Sequence, residues 1–280
     1  MAVVAVLGAG PLGAGFVENL LEKGHSVRVW NRTAARLAPL VARGAEAAET
    51  PESAVRGASR VHLVLSDDDA VDPVITALLP GLGAGVPVYD HSTNLPARVA
   101  ERVPRLRAAG VDYVSAPVFM APANARAASG LLVLACPQDE AEAHTATLAT
   151  MTGKVWYVGD RADAAAIYKL LGNAMLVSMA AVVGDTTQVA LSAGLPATAV
   201  AELLANFNPG TVLPHLPGRI DRAATAAASF TLEMARKDVG LMLTTSAGAP
   251  LDVLPGVAAG MDRAVAAGHL HDDFAVFARR

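Results

Sequence analysis

Lys169 and Asn173 are the residues whose types and spacing point most directly to chemistry. They lie in a long, almost uncharged apolar stretch. Residues four apart share one helix face, so an ammonium and a carboxamide would lie side by side. Burial lowers the pKa of a lysine, which can then release its proton as an arginine cannot. Lysine is scarce in this chain, with only four (Lys23, Lys154, Lys169, Lys237) among 22 Lys and Arg. The position therefore indicates proton transfer.

The composition sets broad limits on structure and partners. The 280 residues suit one large or two modest domains, and 53% of them are hydrophobic. A charged fraction of 17% is low and suggests a large buried subunit interface. With a net charge of −4 and no basic stripe, nucleic acid is not an expected partner. Cys136, the only cysteine, excludes an intrachain disulfide, is expected in the core and fits a cytoplasmic protein.

Neither a signal peptide nor a membrane span is expected. The N-terminus lacks a positively charged region before its apolar run. The longest uncharged apolar stretch, 170–184, is shorter than the ~20 residues that cross a bilayer. We interpret it as a helix buried in a core or in a dimer interface, with no membrane partner.

The chain alternates short β runs with helical segments up to about residue 160. Such alternation is typical of an α/β fold with a doubly wound parallel sheet. Strands are predicted at 3–7, 26–30, 60–65, 86–89, 112–115, 131–135 and 155–158. A helix is predicted after the loop at 8–13 and through residue 21, and another at 33–43. Long helical segments follow, at 162–193, 197–206, 232–247 and 251–268. We therefore predict a Rossmann domain over 1–160 and an all-helical domain over 161–280, entered through the helix that carries Lys169.

A glycine-rich loop after the first strand predicts a dinucleotide site. Gly8, Gly10 and Gly13 fit G-x-G-x-x-G, which permits a tight turn, a close approach to the pyrophosphate and close helix–strand packing. Pro11 and Leu12 complete the loop, and the following helix N-terminus offers free N–H groups to phosphates.

The end of the second strand predicts the cofactor type. NAD enzymes usually carry an acidic residue there, which binds the ribose 2′-hydroxyl. Here Asn31 is neutral, Arg32 can pair with a 2′-phosphate, Thr33 can donate a hydroxyl, and Arg36 follows one turn later. The alternative is a solvent-exposed arginine with Thr33 as a helix cap. This pattern favours NADP(H).

Two more loops follow strands at the same sheet edge. Leu65 and Ser66 lead into an acidic run at 67–69, which we interpret as a helix N-terminus capped by Ser66, not as a metal site. Ser92 and Thr93 follow the next strand and are expected near the nicotinamide. His91, beside them, is interpreted as a surface or structural histidine. No metal site is predicted.

These pieces, in this order, resemble the β-hydroxyacid dehydrogenase family, which includes 3-hydroxyisobutyrate dehydrogenase, tartronate semialdehyde reductase and glyoxylate/succinic semialdehyde reductases. The resemblance covers nearly the whole chain. It implies that Lys169 is the catalytic acid/base, that Asn173 orients the substrate, and that Thr93 and Lys237 lie near the cofactor. It also implies a helical domain like that of 6-phosphogluconate dehydrogenase, and a homodimer or homotetramer that binds a small-molecule substrate.

One loop departs from the family pattern. The family commonly has Asp-Ala-Pro-Val-Ser-Gly-Gly, whose Ser and Gly groups hold a substrate carboxylate. Here the sequence after Ser115-Ala116 is Pro117, Val118, Phe119, Met120 and Ala121. Bulky apolar residues crowd a nest of N–H groups. These five residues, with Lys169 and Asn173, are predicted to bind a bulkier or less polar substrate, or to hold a carboxylate differently.

The sequence thus predicts an NADPH-dependent oxidoreductase that transfers a hydride between nicotinamide and a carbonyl or hydroxyl substrate. An imine reductase is the first alternative, because such enzymes resemble this chain at the N-terminus and in their apolar loops. They usually place Asp or Tyr where this chain has Lys169. A non-catalytic NADPH-binding module is the second alternative, and loss of Lys169 would be its signature.

Overall fold

Six parallel strands form the main sheet of the first half of the chain. The computed structural model describes residues 3–279. The strands are β1 (Val3–Leu7), β2 (Ser26–Trp30), β3 (Glu46–Ala47), β4 (Ala58–Leu63), β5 (Val88–Asp90) and β6 (Tyr113–Ser115). Their order is β3-β2-β1-β4-β5-β6, so the winding reverses between β1 and β4. This is the predicted doubly wound Rossmann sheet, whose ligand crevice lies beyond the carboxyl ends at the reversal.

Helices cover both faces of this sheet. Val4 and Val6 of β1 pack into one apolar cluster with Phe16, whereas Ala5 and Leu7 pack into the other. A strand buried on both faces must be apolar throughout, as β1 is. The helices of this part are α1 (Pro11–Glu22), α2 (Ala38–Val41), α3 (Pro51–Val55), α4 (Asp68–Leu78) and α5 (Pro96–Ala108).

The predicted helix at 33–43 is wrong as a continuous element. A 3₁₀ turn covers Ala34–Leu37 and the short α2 follows it. Pro39 explains the break, because it has no backbone N–H and is tolerated only in the first turn of a helix.

A second, three-stranded sheet follows the first. It comprises β7 (Val118–Phe119), β8 (Leu131–Leu134) and β9 (Lys154–Tyr157), with α6 (Pro122–Arg126) and α7 (Ala141–Leu148) between them. β7 pairs antiparallel with β8, and β8 pairs parallel with β9. The strands predicted at 131–135 and 155–158 therefore exist but do not extend the parallel sheet. Short apolar runs do not reveal the direction of their pairing.

The remaining described chain is helical, as predicted. A 29-residue helix, α8 (Ala164–Ser192), is followed by α9 (Thr198–Asn206), α10 (Leu216–Arg222), α11 (Leu232–Thr245) and α12 (Leu254–Ala266). By its contacts the chain divides into two compact units, Met1–Asn173 and Ala174–Arg280. The predicted boundary at 160/161 lies just before α8, and the division by contacts lies within it.

The second unit has its own core and a buried carboxylate. Val239 of α11 packs with Ala258 and Met261 of α12. Asp185 of α8 is buried and accepts the backbone N–H groups of Asp252, Val253 and Leu254 at 2.7–2.9 Å. These groups precede and begin α12, so Asp185 stabilises the start of that helix.

α8 corresponds to the helix predicted at 162–193. By length and composition it is able to cross a bilayer, and almost all of its most apolar window is exposed in the single chain. The uncharged stretch 170–184 is shorter than a bilayer span, but the helix that contains it is not, so helix length alone does not exclude a span.

Candidate active site

The glycine-rich loop is shaped by contacts that leave no room for a side chain. Gly8 has φ +115°, and a Cβ there would lie 2.1 Å from the Val64 carbonyl oxygen. A Cβ at Gly13 would lie 2.0 Å from the Gly8 carbonyl oxygen. The Gly8 N–H donates to the Trp30 carbonyl at 2.8 Å, which ties the loop to β2. Gly8 and Gly13 therefore serve the turn and the packing of α1.

Gly10 has a different role. A Cβ there would meet nothing within 4 Å, so the absent side chain leaves open space above the loop. Gly10 is also the N-cap of α1 and provides no side-chain hydrogen bond to the first turn. The backbone N–H groups of Leu12 and Gly13 therefore receive no capping hydrogen bond from a Gly10 side chain, and Pro11 has no backbone N–H. Such a helix start suits a pyrophosphate.

A cleft of about 690 Å³ lies along this loop. It brings together eight of the predicted cofactor residues besides the three glycines of the loop: Pro11, Leu12, Asn31, Arg32, Thr33, Arg36, Leu65 and Ser66. Apolar residues that the sequence analysis did not identify complete its wall: Trp30, Pro51, Val64, Pro73, Val74 and Ala77. Most of these come from α3, which was not predicted, and from α4, of which only the N-terminus was predicted; their apolar surfaces suit a base or a ribose.

Asn31 fixes the end of β2 to the glycine-rich loop. Its Oδ1 accepts the Ala9 N–H and its Nδ2 donates to the Thr33 carbonyl, both at 2.9 Å. Arg32, Thr33 and Arg36 are exposed at the cleft. In residues 3–279 neither arginine forms an ion pair within 4 Å, and Thr33 does not use its side chain as a cap. Thr33 does occupy the N-cap position of the 3₁₀ turn at Ala34–Leu37, as the alternative predicted, although its side chain forms no capping hydrogen bond.

The loop after β4 differs in one detail from its prediction. Asp67, not Ser66, is the N-cap of α4, and its carboxylate accepts the Ala70 N–H at 2.9 Å. Hydrogen bonds from Ser66 and Ala70 hold the pKa of Asp67 below its ordinary value. The next acidic residue, Asp68, accepts the Leu95 N–H and a bond from buried Arg102, both at 2.7 Å. The acidic run therefore caps α4 and anchors α5.

Ser92 lies in a buried network at the end of β5. Its Oγ accepts the Leu65 N–H at 3.0 Å, and its own N–H donates to Asp90 at 2.9 Å. Asp90 also accepts bonds from Asn94 and Tyr113. Ser92 thus joins the two loops that follow β4 and β5, while the neighbouring Thr93 is half-buried. Contact of either residue with nicotinamide stays a prediction.

His91 is buried and structural, not a surface residue. Its Nδ1 donates to the Ala116 carbonyl at 2.7 Å, so its Nε2 accepts from His62 Nδ1 at 3.0 Å. His62 Nε2 in turn accepts from Arg60 at 3.2 Å. Burial lowers the pKa of both histidines, which keeps them neutral. This series of hydrogen bonds holds Ala116, which directly precedes the predicted substrate loop, against the main sheet.

Two backbone groups of the predicted substrate loop, Pro117 to Ala121, are already hydrogen-bonded. Pro117 and Val118 are buried, and the Pro117 carbonyl accepts the Val133 N–H at 2.9 Å. The Ala121 N–H donates to Asn124 Oδ1 at 2.9 Å. Met120 packs against the core beneath the cofactor loop. In the described residues the Ala121 N–H is therefore not free to bind a substrate, and the side chains that the loop offers are apolar.

Lys169 and Asn173 share the face of α8 near this loop. Lys169 Nζ lies 4.3 Å from the centroid of the Phe119 ring. Both residues are half-buried, and burial lowers the pKa of Lys169. In residues 3–279 the ammonium forms no ion pair within 4 Å, which excludes the simple salt-bridge role for Lys169 there. A lysine of lowered pKa beside an open carboxamide suits proton transfer to a bound substrate.

Lys237 lies on α11 in the second unit. It is exposed, and its Nζ lies 3.0 Å from Asp238. This geometry fits an ordinary surface ion pair. Its part in cofactor binding stays a prediction.

Two further places in the described residues carry side chains that are capable of chemistry. Cys136 is buried as predicted, and burial raises its pKa to about 11, which makes the thiol inert. Asp112, Glu140 and His144 have donor atoms within 4.8 Å of one another. Arg107, however, donates to both Glu140 oxygens at 2.7 and 2.9 Å, so this carboxylate serves an ion pair.

Comparison with known proteins identifies the family. The family model for the NAD binding domain of 6-phosphogluconate dehydrogenase matches residues 3–159. The 3-sulfolactaldehyde reductase of Escherichia coli is 25% identical over 248 residues, 87% of this chain and 83% of that protein. The 3-hydroxyisobutyrate dehydrogenase of Pseudomonas aeruginosa is 25% identical over 257 residues, 88% and 86% of the two chains. The chain belongs to the β-hydroxyacid dehydrogenase family. It is an NAD(P)-dependent oxidoreductase that acts on hydroxyl or carbonyl groups.

Solved structures of similar fold include imine-reducing enzymes. An imine reductase of Streptomyces aurantiacus matches with a TM-score of 0.84 and 28% identity over 99% of this chain and 98% of that one. A reductive aminase of Aspergillus terreus, in complex with NADPH and ethyl levulinate, gives a TM-score of 0.87 at 24% identity, covering 99% and 98%. Because the identity to the reductive aminase is below 25%, that likeness establishes only that the two chains share a fold.

Proposed function

We propose that this family member reduces a carbonyl compound with NADPH and that Lys169 donates the proton. The observation that carries the proposal is a half-buried lysine without a carboxylate partner in residues 3–279, on one helix face with Asn173 and beside the Phe119 loop. Bound NADPH would supply the hydride. Lys169 would protonate the substrate oxygen as negative charge develops on it, and Asn173 would hydrogen-bond the same substrate. In the reverse direction, neutral Lys169 would accept the hydroxyl proton.

The preference for NADPH rests on the charge at the end of β2. A 2′-phosphate near Arg32 and Arg36 would meet two guanidinium groups that have no ion-pair partner within the described chain, and the Thr33 hydroxyl beside them. No carboxylate follows β2 to bind a 2′-hydroxyl. The cleft does contain Asp69, but Arg98 pairs with it at 2.6 Å and offsets its charge.

The substrate is proposed to be less polar than a small hydroxy acid. The Ala121 N–H already donates to Asn124 and is not free for a substrate carboxylate, while Lys169 and Asn173 are assigned to the reacting oxygen. Phe119 and Met120 offer apolar surface instead. A neutral aldehyde or ketone fits this loop better than glyoxylate or a semialdehyde acid.

Imine reduction is the second candidate. The 28% identity to an imine reductase over nearly the whole chain and the apolar loop favour it. Lys169 weighs against it, because an iminium ion already carries its proton and needs none delivered to oxygen. The carbonyl reaction therefore remains the first choice.

A panel of substrates tests the proposal. NADPH and NADH oxidation would be followed with cyclohexanecarbaldehyde, succinic semialdehyde, glyoxylate and the cyclic imine 2-methyl-1-pyrroline. We expect the fastest turnover with the neutral aldehyde and NADPH. Turnover of the imine alone would contradict the carbonyl assignment, and tight NADPH binding with no turnover would favour the non-catalytic module.

We also propose that α8 forms the interface of a homodimer. Large apolar side chains are exposed along it in the single chain, including Met175, Leu176, Val177, Met179, Val182 and Val183. Contiguous exposed apolar surface marks a contact with a protein or a membrane. Lys169 and Asp185 lie on the same helix, and charged residues are rare in lipid-facing spans. A second copy of the chain is therefore the proposed partner, and a cytoplasmic location stays a prediction.

A further inference from the structure

The Phe119 ring is packed directly against the backbone of α8. A Cβ at Gly172 would lie 2.3 Å from Phe119 Cζ and 2.4 Å from Cε1, so only glycine leaves room for the ring. Gly172 lies three residues after Lys169, on the same helix face. Glycine is disfavoured within a helix, so its presence here needs a packing reason.

Phe119 is itself held from the opposite side. It pairs with Leu131 in β7–β8, and its ring packs on a small cluster formed by Val133 and Ala165. Gly130, with φ +95°, turns the chain beneath it, where a Cβ would lie 2.9 Å from the Phe119 carbonyl oxygen. The ring is therefore fixed by the second sheet and by the first turns of α8.

The face of this fixed ring is the partner of the Lys169 ammonium. Nζ lies 4.3 Å from the ring centroid, within the ~6 Å reach of a cation–π contact. Burial is the single cause of the lowered pKa of Lys169, and no charged group of the described residues, on α8 or on the elements packed against it, contributes to the shift. The electron-rich ring face thus lies within attractive reach of the cation, whereas no carboxylate of residues 3–279 lies within 4 Å of it.

We propose that Phe119 is a positioning residue that holds the Lys169 ammonium toward the substrate, and that Gly172 is required because it seats the ring. This inference rests on the proposed role of Lys169 as proton donor. It assigns to the altered loop a second task besides shaping the pocket.

The test compares substitutions that keep or remove the ring face. Phe119→Leu keeps an apolar cover without a π face, and Phe119→Tyr keeps the face. Gly172→Ala displaces the ring, whereas Gly184→Ala, where a Cβ would meet nothing within 4 Å, is its control on the same helix. The lysines would be reductively ¹³C-dimethylated and titrated by NMR, with Lys169→Arg used to assign the signal among four lysines.

A cation–π contact favours the charged form, so its loss moves the titration of Lys169 downward. We expect Phe119→Leu and Gly172→Ala to lower the midpoint by about half to one pH unit. Phe119→Tyr and Gly184→Ala should leave it within about 0.3 units of the parent. In assays with cyclohexanecarbaldehyde, the alkaline limb of the kcat profile should move with the titration, and KM for NADPH should stay unchanged.

An unchanged midpoint in a folded Phe119→Leu variant, as judged by thermal melting, would overturn the inference. If that variant does not fold, Gly172→Ala decides in its place, by the same midpoint. Failure here is distinct from failure of the proposed function. An inactive Lys169 variant together with an unmoved Phe119→Leu titration would reject only the positioning role.

Discussion

The Asn31 side-chain oxygen accepts the backbone N–H of Ala9 at 2.9 Å. This bond joins the end of β2 to the glycine-rich loop, two segments that lie 22 residues apart in sequence. The same amide donates to the Thr33 carbonyl, so the backbone that carries Arg32 and Thr33 is fixed relative to the loop. A neutral residue at this position therefore both admits a 2′-phosphate and positions the groups proposed to bind it.

Replacing both arginines should convert the cofactor preference. Arg32→Gln together with Arg36→Gln removes the two charges proposed to pair with the 2′-phosphate. We expect KM for NADPH to rise about tenfold to a hundredfold, since bonds to charged groups contribute about 1.5–3 kcal/mol. KM for NADH should change little. Steady-state kinetics with both cofactors measures this, and exposed Arg105→Gln on α5 is the control. An equal loss with both cofactors would contradict a 2′-phosphate site.

Two glycines of one loop should respond differently to alanine. Gly10→Ala meets open space and should melt within about 2 °C of the parent, yet its methyl group enters the proposed pyrophosphate site. NADPH affinity, measured by fluorescence or calorimetry, should fall at least about tenfold. Gly8→Ala would instead put a side chain on a residue at φ +115° and its Cβ against the Val64 carbonyl. Its main effect should therefore be a lower melting temperature. Unchanged NADPH affinity in Gly10→Ala would place the pyrophosphate elsewhere.

Much of the glycine-rich loop and of the Lys169 site could be predicted from sequence, because the patterns that indicate them are local. The glycine spacing, the strand before it and the Lys169–Asn173 pair are each contained in a few consecutive residues. The contacts that hold Asn124 to Ala121, His62 to His91 and Asp185 to α12 were not predicted. The two distant ones join residues 29 and 67 or more positions apart, and no sequence period links such partners. The strands at 131–135 and 155–158 were predicted, but their membership of a separate sheet was not, because short apolar runs do not reveal their pairing partners.

A charge on the exposed face of α8 should break the proposed dimer. Val177 is 68% exposed in the single chain, so Val177→Asp leaves the monomer's own packing intact. In the dimer the carboxylate would be buried without a partner, which is strongly unfavourable. Light scattering after gel filtration should give a dimer for the parent and a monomer for the variant. Val41→Asp, at another exposed valine, should remain dimeric. A dimeric Val177→Asp would locate the interface elsewhere.

Asp185 should stabilise the second unit in a pH-dependent way. Burial opposes its charge, but three backbone N–H groups outweigh this and hold its pKa below the ordinary value. A carboxyl with a lowered folded pKa contributes stability above its unfolded pKa of about 3.9, and loses it as pH falls through the folded value.

Asp185→Asn should therefore cost about 1.5–3 kcal/mol at pH 7, measured by urea unfolding. The difference from the parent should narrow below about pH 4. Exposed Asp252→Asn is the matched control, since its side chain is not used to cap α12. A difference that stays constant down to pH 3 would show that the charge of Asp185 does not matter.

The central claim is that Lys169 delivers the proton, and its replacement tests this most directly. Lys169→Met keeps the length and burial of the side chain without an ionisable group, and exposed Lys154→Met is the control. With NADPH and the panel compound that the parent turns over fastest, kcat should fall about 10²- to 10⁴-fold. NADPH affinity should stay within about twofold of the parent, because Lys169 is not part of the proposed cofactor cleft. A Lys169→Met variant whose kcat stays within about twofold of the parent would contradict the account.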